Sequence, residues 1–337
     1  MRSVFTCIAV TIFLYSCNNN GKNPDVSGIQ VSLTTERFEK NLFDTTQNNL
    51  ASYLVKLQSV APAFTTTFIT KILNADPSWP TDSIAGYVNG FIHAYRPVYD
   101  TAEKLFSDFT KYEKEIKQGL QYVKHYFPEY KVPGKIITYI GPPDGYGDIL
   151  TEDALVIGLQ HHLGKDFHLY KTELVQQVYP EYISYNFEPD QISINCMKNI
   201  VNDLYLEKED DKPMLNQMVE KGKRIYVLSK LQPEKEDYKL IGYTKKQMEE
   251  CNDREVVIWN LFIKNSYLQV ADKNIIKNYV GEGPSTPELG EGAPGNIGSY
   301  AGWQIVKKYM QKNAAISLQQ LMNTDNEIIF QEAKYKP

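Results

Sequence analysis

The common catalytic chemistries find little to work with in this sequence. Its 337 residues include five histidines and four cysteines, and none sits in an HExxH helix, a nucleophile elbow, a P-loop or a dinucleotide fingerprint. A hydrolytic zinc site needs imidazoles at helical spacing beside a general-base carboxylate, so that class has no local signature here. A basic excess is missing too. Lys and Arg number 36 against 41 Asp and Glu, a formal net charge of −5, which argues against a nucleic-acid partner. No apolar run approaches the roughly 20 residues that cross a bilayer.

The longest apolar run, Val4 to Tyr15, follows Arg2 and the amino terminus and stops at Ser16-Cys17. That is the layout of a signal peptide, too short to remain as a spanning helix. Its end, Leu14-Tyr15-Ser16-Cys17, resembles the lipobox of bacterial lipoproteins, although Tyr15 is bulkier than usual at its place. The processing peptidase needs a small residue before the scissile bond, here Ser16, and the Cys17 thiol becomes a thioether to diacylglycerol, with an N-acyl chain added. Each buried methylene contributes about 0.8 kcal/mol, so two or three chains make a lasting anchor where one would not. Asn18 follows the cysteine in place of the Asp that retains some lipoproteins in the inner membrane. The expectation is a lipid-anchored protein of the cell envelope, on the periplasmic leaflet of the outer membrane, with the lipid bilayer as its first partner. Loss of residues 1–16 removes only Arg2 among charged side chains, leaving 35 basic against 41 acidic, a net −6.

Three parts follow: a signal peptide at 1–16, a polar tether at 17–28 and one mostly helical periplasmic domain at 29–337. The tether is rich in Asn with Gly and Pro and has no periodicity, and it gives a reach of roughly 15 to 20 Å. Alternation at Ile29, Val31 and Leu33 predicts a strand. Prolines at 62, 77, 80, 97 and 128 then divide helices predicted at 48–60, 62–73, 82–95, 98–110 and 111–127. Two β-branched, apolar runs, 135–140 and 154–159, bracket the loop Gly141-Pro142-Pro143-Asp144-Gly145-Tyr146-Gly147-Asp148, which reads as an antiparallel pair with a long connection. Asp190 is the predicted N-cap of a helix with Met197, Ile200, Val201 and Leu204 on one face. Capping boxes are predicted at Thr244 with Gln247, opening a helix to about Lys264 with Ile258, Trp259, Phe262 and Ile263 inward, and at Ser317 with Gln320. The stretch 281–298 holds six glycines and three prolines and must be a shaped loop. The fold class is mainly α with a small antiparallel β-sheet, an α+β protein.

Candidate site residues are few. His161, His162 and His168 form the one histidine cluster and the one candidate metal set, yet adjacent rings diverge in a strand or a helix, so the preferred reading is polar or half-buried side chains. Asp144, Asp148, Glu152 and Asp153 lack EF-hand spacing and read as turn-formers. Cys196 and Cys251, the cysteines left once Cys7 is removed and Cys17 is lipidated, read as two buried thiols in preference to a disulfide. No cofactor is expected beyond the acyl groups on Cys17.

Several stretches of the C-terminal half occur in a familiar combination: Gly158-Leu159, Leu163-Gly164-Lys165-Asp166, Pro180-Glu181-Tyr182-Ile183, Gly222-Lys223-Arg224, Ile241-Gly242-Tyr243-Thr244, and above all Gly298 with Gly302-Trp303-Gln304-Ile305-Val306 and Tyr309-Met310. Together they resemble the GldB family of gliding-motility lipoproteins of the Bacteroidota, across essentially the whole mature chain. The resemblance implies a non-catalytic envelope lipoprotein that supports the gliding machinery, as scaffold or assembly factor, through periplasmic protein partners. It supplies no catalytic residues. Gly298, Gly302 and Trp303 are the candidate functional surface, set against a tightly packed helix start, which is the preferred reading. A second, weaker similarity to a predicted zinc-peptidase family follows element order alone and implies a degenerate, metal-free zincin-like domain, since the corresponding helix, Gln191 to Ile200, has no histidine. The alternatives carried with the scaffold role are a divergent zincin-like peptidase or hydrolase, and a glycan- or peptide-binding module using some of the 24 tyrosines.

Overall fold

The computed structural model describes residues 23–44, 50–207, 211–290 and 293–337. The signal peptide and lipobox expected at 1–17, Ser16 and Cys17 included, lie outside them. The chain docks earlier than residue 29. Val26 is buried, the Ile29 N–H donates to the Val26 carbonyl, and side chains of a later helix hold the carbonyls of Ile29 and Gln30 through Gln121 and Lys124. With those carbonyls taken, residues 29–33 are not the strand that their alternation predicts. The strand is β1 (Thr34–Arg37), which runs into α1 (Phe38–Phe43).

Helices α2 (Leu50–Val60) and α3 (Pro62–Thr67) follow, and α3 passes into a five-residue π-helical turn, Phe68–Ile72. Next come α4 (Thr81–Leu105) and α5 (Thr110–Tyr126). Pro97 does not split α4 as predicted. It lies on the exposed face, where water can replace the backbone bond that a proline forgoes, while Phe91, Ile92, Val98 and Tyr99 hold the turns on either side in the core.

The sheet corrects the predicted pairing. Strands β2 (Lys135–Tyr139), β3 (Ile149–Leu150) and β4 (Ala154–Gly158) join β1 in the order β1-β2-β4-β3. β2 is parallel to both β1 and β4, and the antiparallel neighbour of β4 is the two-residue β3. The tight turn belongs to β3 and β4, where the Thr151 N–H donates to the Ala154 carbonyl, and the Gly141–Asp148 loop, held by Tyr139 Oη at the carbonyls of Tyr146 and Gly147, reverses the chain from β2 into β3 and not into β4. All five residues of β4 are buried, the state in which parallel strands read as unbroken apolar runs.

The rest is helical: α6 (Glu173–Val178), α7 (Glu181–Ser184), α8 (Ile192–Leu204), α9 (Met214–Leu231), α10 (Asp237–Ile241), α11 (Lys245–Asp253), α12 (Glu255–Lys264), α13 (Lys273–Ile276), α14 (Ile297–Lys312), α15 (Leu318–Asn323) and α16 (Asn326–Ala333). Both predicted capping boxes are formed, at Thr244 with Gln247 and at Ser317 with Gln320. The long helix expected after the first is two, α11 and α12, parted at Arg254, and Ile263 faces solvent while Ile258, Trp259 and Phe262 are buried. Asp190 does not cap α8. It belongs to a 3-10 turn, Pro189–Gln191, and binds Lys239 at 3.0 Å. Cys196 and Cys251 are buried free thiols, and burial pushes the Cys251 thiol up to about 12.

Buried side chains from Val26 to Tyr335 form one continuous cluster. Its tightest seam is the crossing of α9 and α14, where a Cβ on Gly222 would strike the backbone of Gly302 and one on Gly302 the backbone of Met218. Glycines at these two places let the helix backbones touch. Among the described residues no helix is long and apolar enough to cross a membrane.

Candidate functional site

The densest polar cluster lies below the C-terminal ends of β2 and β4. Its centre is Asp148, the last residue of the glycine-proline loop. Oδ1 accepts from the Gly158 N–H at 3.1 Å and from His162 Nε2 at 3.1 Å. Oδ2 accepts from His162 Nε2 at 2.9 Å and from Asn195 Nδ2 at 3.0 Å. Asn199, one turn further along α8, donates to the Asp148 carbonyl at 3.2 Å. Three N–H donors therefore converge on the carboxylate, with His162 Nε2 shared between its two oxygens, so each oxygen is hydrogen-bonded within the protein.

Both nitrogens of His162 face acceptors, Nε2 the Asp148 carboxylate and Nδ1 the Glu188 carbonyl at 3.1 Å, so both donate and the ring is an imidazolium. Burial opposes that charge, but the Asp148 carboxylate outweighs it and raises the His162 pKa above its ordinary value. Burial likewise opposes ionisation of Asp148, and His162 with Asn195 reverses the effect and holds the carboxyl below the usual range. The result is a buried, fully hydrogen-bonded ion pair.

His161 behaves in the opposite way. Its Nε2 donates to the Pro143 carbonyl at 2.9 Å and its ring stacks on Phe187 at 4.3 Å between centroids. Burial pushes its pKa down to about 4 against the pull of that hydrogen bond and of Asp148. His168 is exposed on a 3-10 turn, with its ring edge-on to Phe167. The three histidines therefore share no ligand position, and His161 and His162 are buried more deeply than the half-buried reading expects. No three His, Cys, Asp or Glu side chains among the described residues are grouped as metal ligands. On the helix where the peptidase similarity would place a metal, α8 presents Asn195 and Asn199, amide donors directed at Asp148. Sequence reasoning treated Asp148 as a turn residue and passed over both asparagines. Their i, i+4 spacing on a helix of otherwise apolar buried face was the available signal.

Gly298, Gly302 and Trp303 are all buried. Gly298 lies against Tyr279 and Val280, Gly302 is at the crossing with α9, and Trp303 is fully enclosed with Lys307 Nζ 3.7 Å from its ring centroid. They form the packed start of α14, not a surface. The Gly222-Lys223-Arg224 stretch supplies a second buried charge group. Glu220 binds Lys223 at 3.1 Å and Arg224 at 2.9 Å, and Arg224 also donates to Asn202 and to the Tyr205 carbonyl.

An open concavity lies elsewhere on α8 and α9. A cavity of about 340 Å³ lies between α8, α9 and the first turn of α14, lined by Lys198, Arg224, Ser299 and apolar side chains of α8, α9 and α10.

A family model described as "Gliding motility protein GldB" matches residues 19–337. No curated protein and no solved structure matches the chain. With the match running through every described element, from the docked segment at Val26 to the last helix, the chain belongs to the GldB family of gliding-motility proteins.

Proposed function

We propose that the protein is a non-catalytic envelope lipoprotein of the gliding apparatus. In this reading Cys17 carries the diacylglyceryl and N-acyl groups, the lipid sits in the periplasmic leaflet of the outer membrane, and the domain holds or bridges periplasmic proteins of the machinery. The observation that carries the reading is the family match over 19–337, which begins two residues beyond the lipobox cysteine. The Asp148 carboxylate supports a non-catalytic role over the peptidase alternative, because both of its oxygens are already engaged by Gly158, His162 and Asn195 inside the fold.

Geometry supports a particular orientation. Six peptide links join Cys17 to Asn23 and span at most about 20 Å. Asn23 lies in a shallow recess with Tyr226, Lys230 and Lys307, so the α9–α14 edge of the domain faces the bilayer in this arrangement. Metabolic labelling with an alkyne fatty acid tests the anchor: label enters the wild-type chain, is absent from Cys17→Ala, and gliding is lost in both that variant and a deletion strain. Gliding that persists unchanged in the deletion strain would remove the assignment to the machinery.

A further inference from the structure

We propose that the cavity between α8, α9 and α14 binds a monocarboxylate carried on a short aliphatic stem. Two unpartnered polar groups point to it independently. Ser299 is 2% exposed, yet its hydroxyl has no hydrogen-bond partner among the described residues, and the residue lines the cavity. Lys198, half-buried on α8, likewise makes no hydrogen bond or ion pair among the described residues, and it lines the same space. Buried hydroxyls and ammonium groups are normally satisfied, because leaving them bare costs more than a hydrogen bond returns.

Backbone donors add to the pair. Asn296 precedes α14 in a left-handed conformation and gives its side-chain oxygen to the Gly281 N–H, so it does not cap the helix. Gly298 N–H donates to the Tyr279 carbonyl, which leaves the Ser299 N–H in the first turn of this 16-residue helix without a partner among the described residues. An uncapped N–H at a helix start, beside a hydroxyl and an ammonium, forms an anion cradle.

The charges select a monoanion. Arg224 is engaged by Glu220, Asn202 and the Tyr205 carbonyl, and Lys221 is paired with Glu207 at 2.7 Å. Of the three cations on the lining, Lys198 alone remains, with the exposed Glu282 as its nearest countercharge. Burial pushes its amine below the ordinary lysine range, against the pull of Glu282, and an arriving carboxylate would draw it back up. The apolar part of the wall, Val201, Ile225, Leu228, Leu240 and Ile241, suits an aliphatic stem and not a bare ion. A free fatty acid of short chain and the C-terminus of a peptide ending in leucine both present that chemistry.

Acetylation of the full-length protein with acetic anhydride, read residue by residue by mass spectrometry, tests the site. Hexanoate or an acetylated tripeptide ending in leucine should slow modification of Lys198 about tenfold or more, while hexanamide and the peptide amide do not. Protection by hexanoate alone identifies a fatty-acid site, and protection by the peptide acid alone identifies a C-terminus. Calorimetry with the protective acid should show binding weakened about tenfold in Ser299→Ala and more in Lys198→Met, with unchanged thermal midpoints. Equal protection by acid and amide, no protection by either acid, or undiminished binding in Lys198→Met would each overturn the proposal. Because these outcomes leave the Cys17 labelling and gliding results untouched, the site and the proposed role fail separately.

Discussion

Asn195 and Asn199 on one side of α8 reach an Asp148 whose oxygens are all taken, while about a quarter-turn around the same helix Lys198 borders a cavity without a hydrogen bond. The two regions use the same kinds of group, an acid or a cation, a hydroxyl or an amide. They differ in completion. Where protein satisfies every donor and acceptor, the polar groups fix one packing and leave nothing for a ligand to add. Where a hydroxyl, an amine and a helix start lack partners together, a ligand can supply what the fold does not.

The largest effect expected from breaking the completed side is His162→Ala. It leaves the Asp148 carboxylate buried without its counterion, and stability should fall by about 3 to 5 kcal/mol in urea denaturation. A loss under about 1 kcal/mol would mean that Asp148 is not charged in the fold, and the contrast would collapse.

The pH dependence separates the two histidines. His161 is neutral in the fold, with a pKa of about 4 against 6.5 for the free side chain, so between these values the unfolded chain binds more protons and stability rises with pH. Taking the pH from above 6.5 to about 4 should remove about 3 kcal/mol through this residue. His162 has the opposite sign. Its folded pKa is raised, so its contribution is complete below 6.5 and is lost as pH climbs through the raised value. Stability should therefore fall on both sides of neutrality, and His161→Gln should flatten the acid limb alone. An acid limb that stays as steep in that variant would assign it to other groups.

How far the sequence made this arrangement legible depended on the range of each interaction. Thr244 with Gln247 and Ser317 with Gln320 are three residues apart, and both boxes form as read. The packed start of α14 was legible from Gly302 and Trp303, because spacing alone puts Trp303, Val306 and Met310 on one face. The strand pairing was not, because β2 and β4 could be joined either way and the choice is made by the two-residue β3, too short to carry a pattern. The Asp148 cluster unites residues 148, 158, 162, 195 and 199 from a loop, a strand end, a turn and a helix, so no local motif announces it. The cavity was less visible still, since it is defined by what Lys198 and Ser299 fail to touch.

Gly302→Ala probes the seam that forms one wall of the open side. The added methyl meets the Met218 backbone of α9, which has no flexible end to move aside. The expected cost is about 1 to 3 kcal/mol. Gly86→Ala is its control, because a Cβ there meets nothing within 4 Å on an exposed face of α4, and it should stabilise by about 0.5 to 1 kcal/mol. Equal responses at the two glycines would mean that α9 and α14 are not in backbone contact.

The smallest effect is the sharpest test of the contrast. Tyr170→Phe and Ser299→Ala each delete one buried hydroxyl. Tyr170 Oη donates to the Gln160 carbonyl at 2.6 Å and accepts from the Leu163 N–H at 3.1 Å, so its loss strands two buried groups and should cost about 1 to 3 kcal/mol. Ser299 Oγ has no partner to strand, and Ser299→Ala should leave stability within about 0.5 kcal/mol of wild type. Removing a bare hydroxyl also improves helix propensity, which biases the small change toward a gain. A loss of more than about 1 kcal/mol in Ser299→Ala would show that the hydroxyl is already satisfied in the folded protein, and the two sides of α8 would then differ in shape alone.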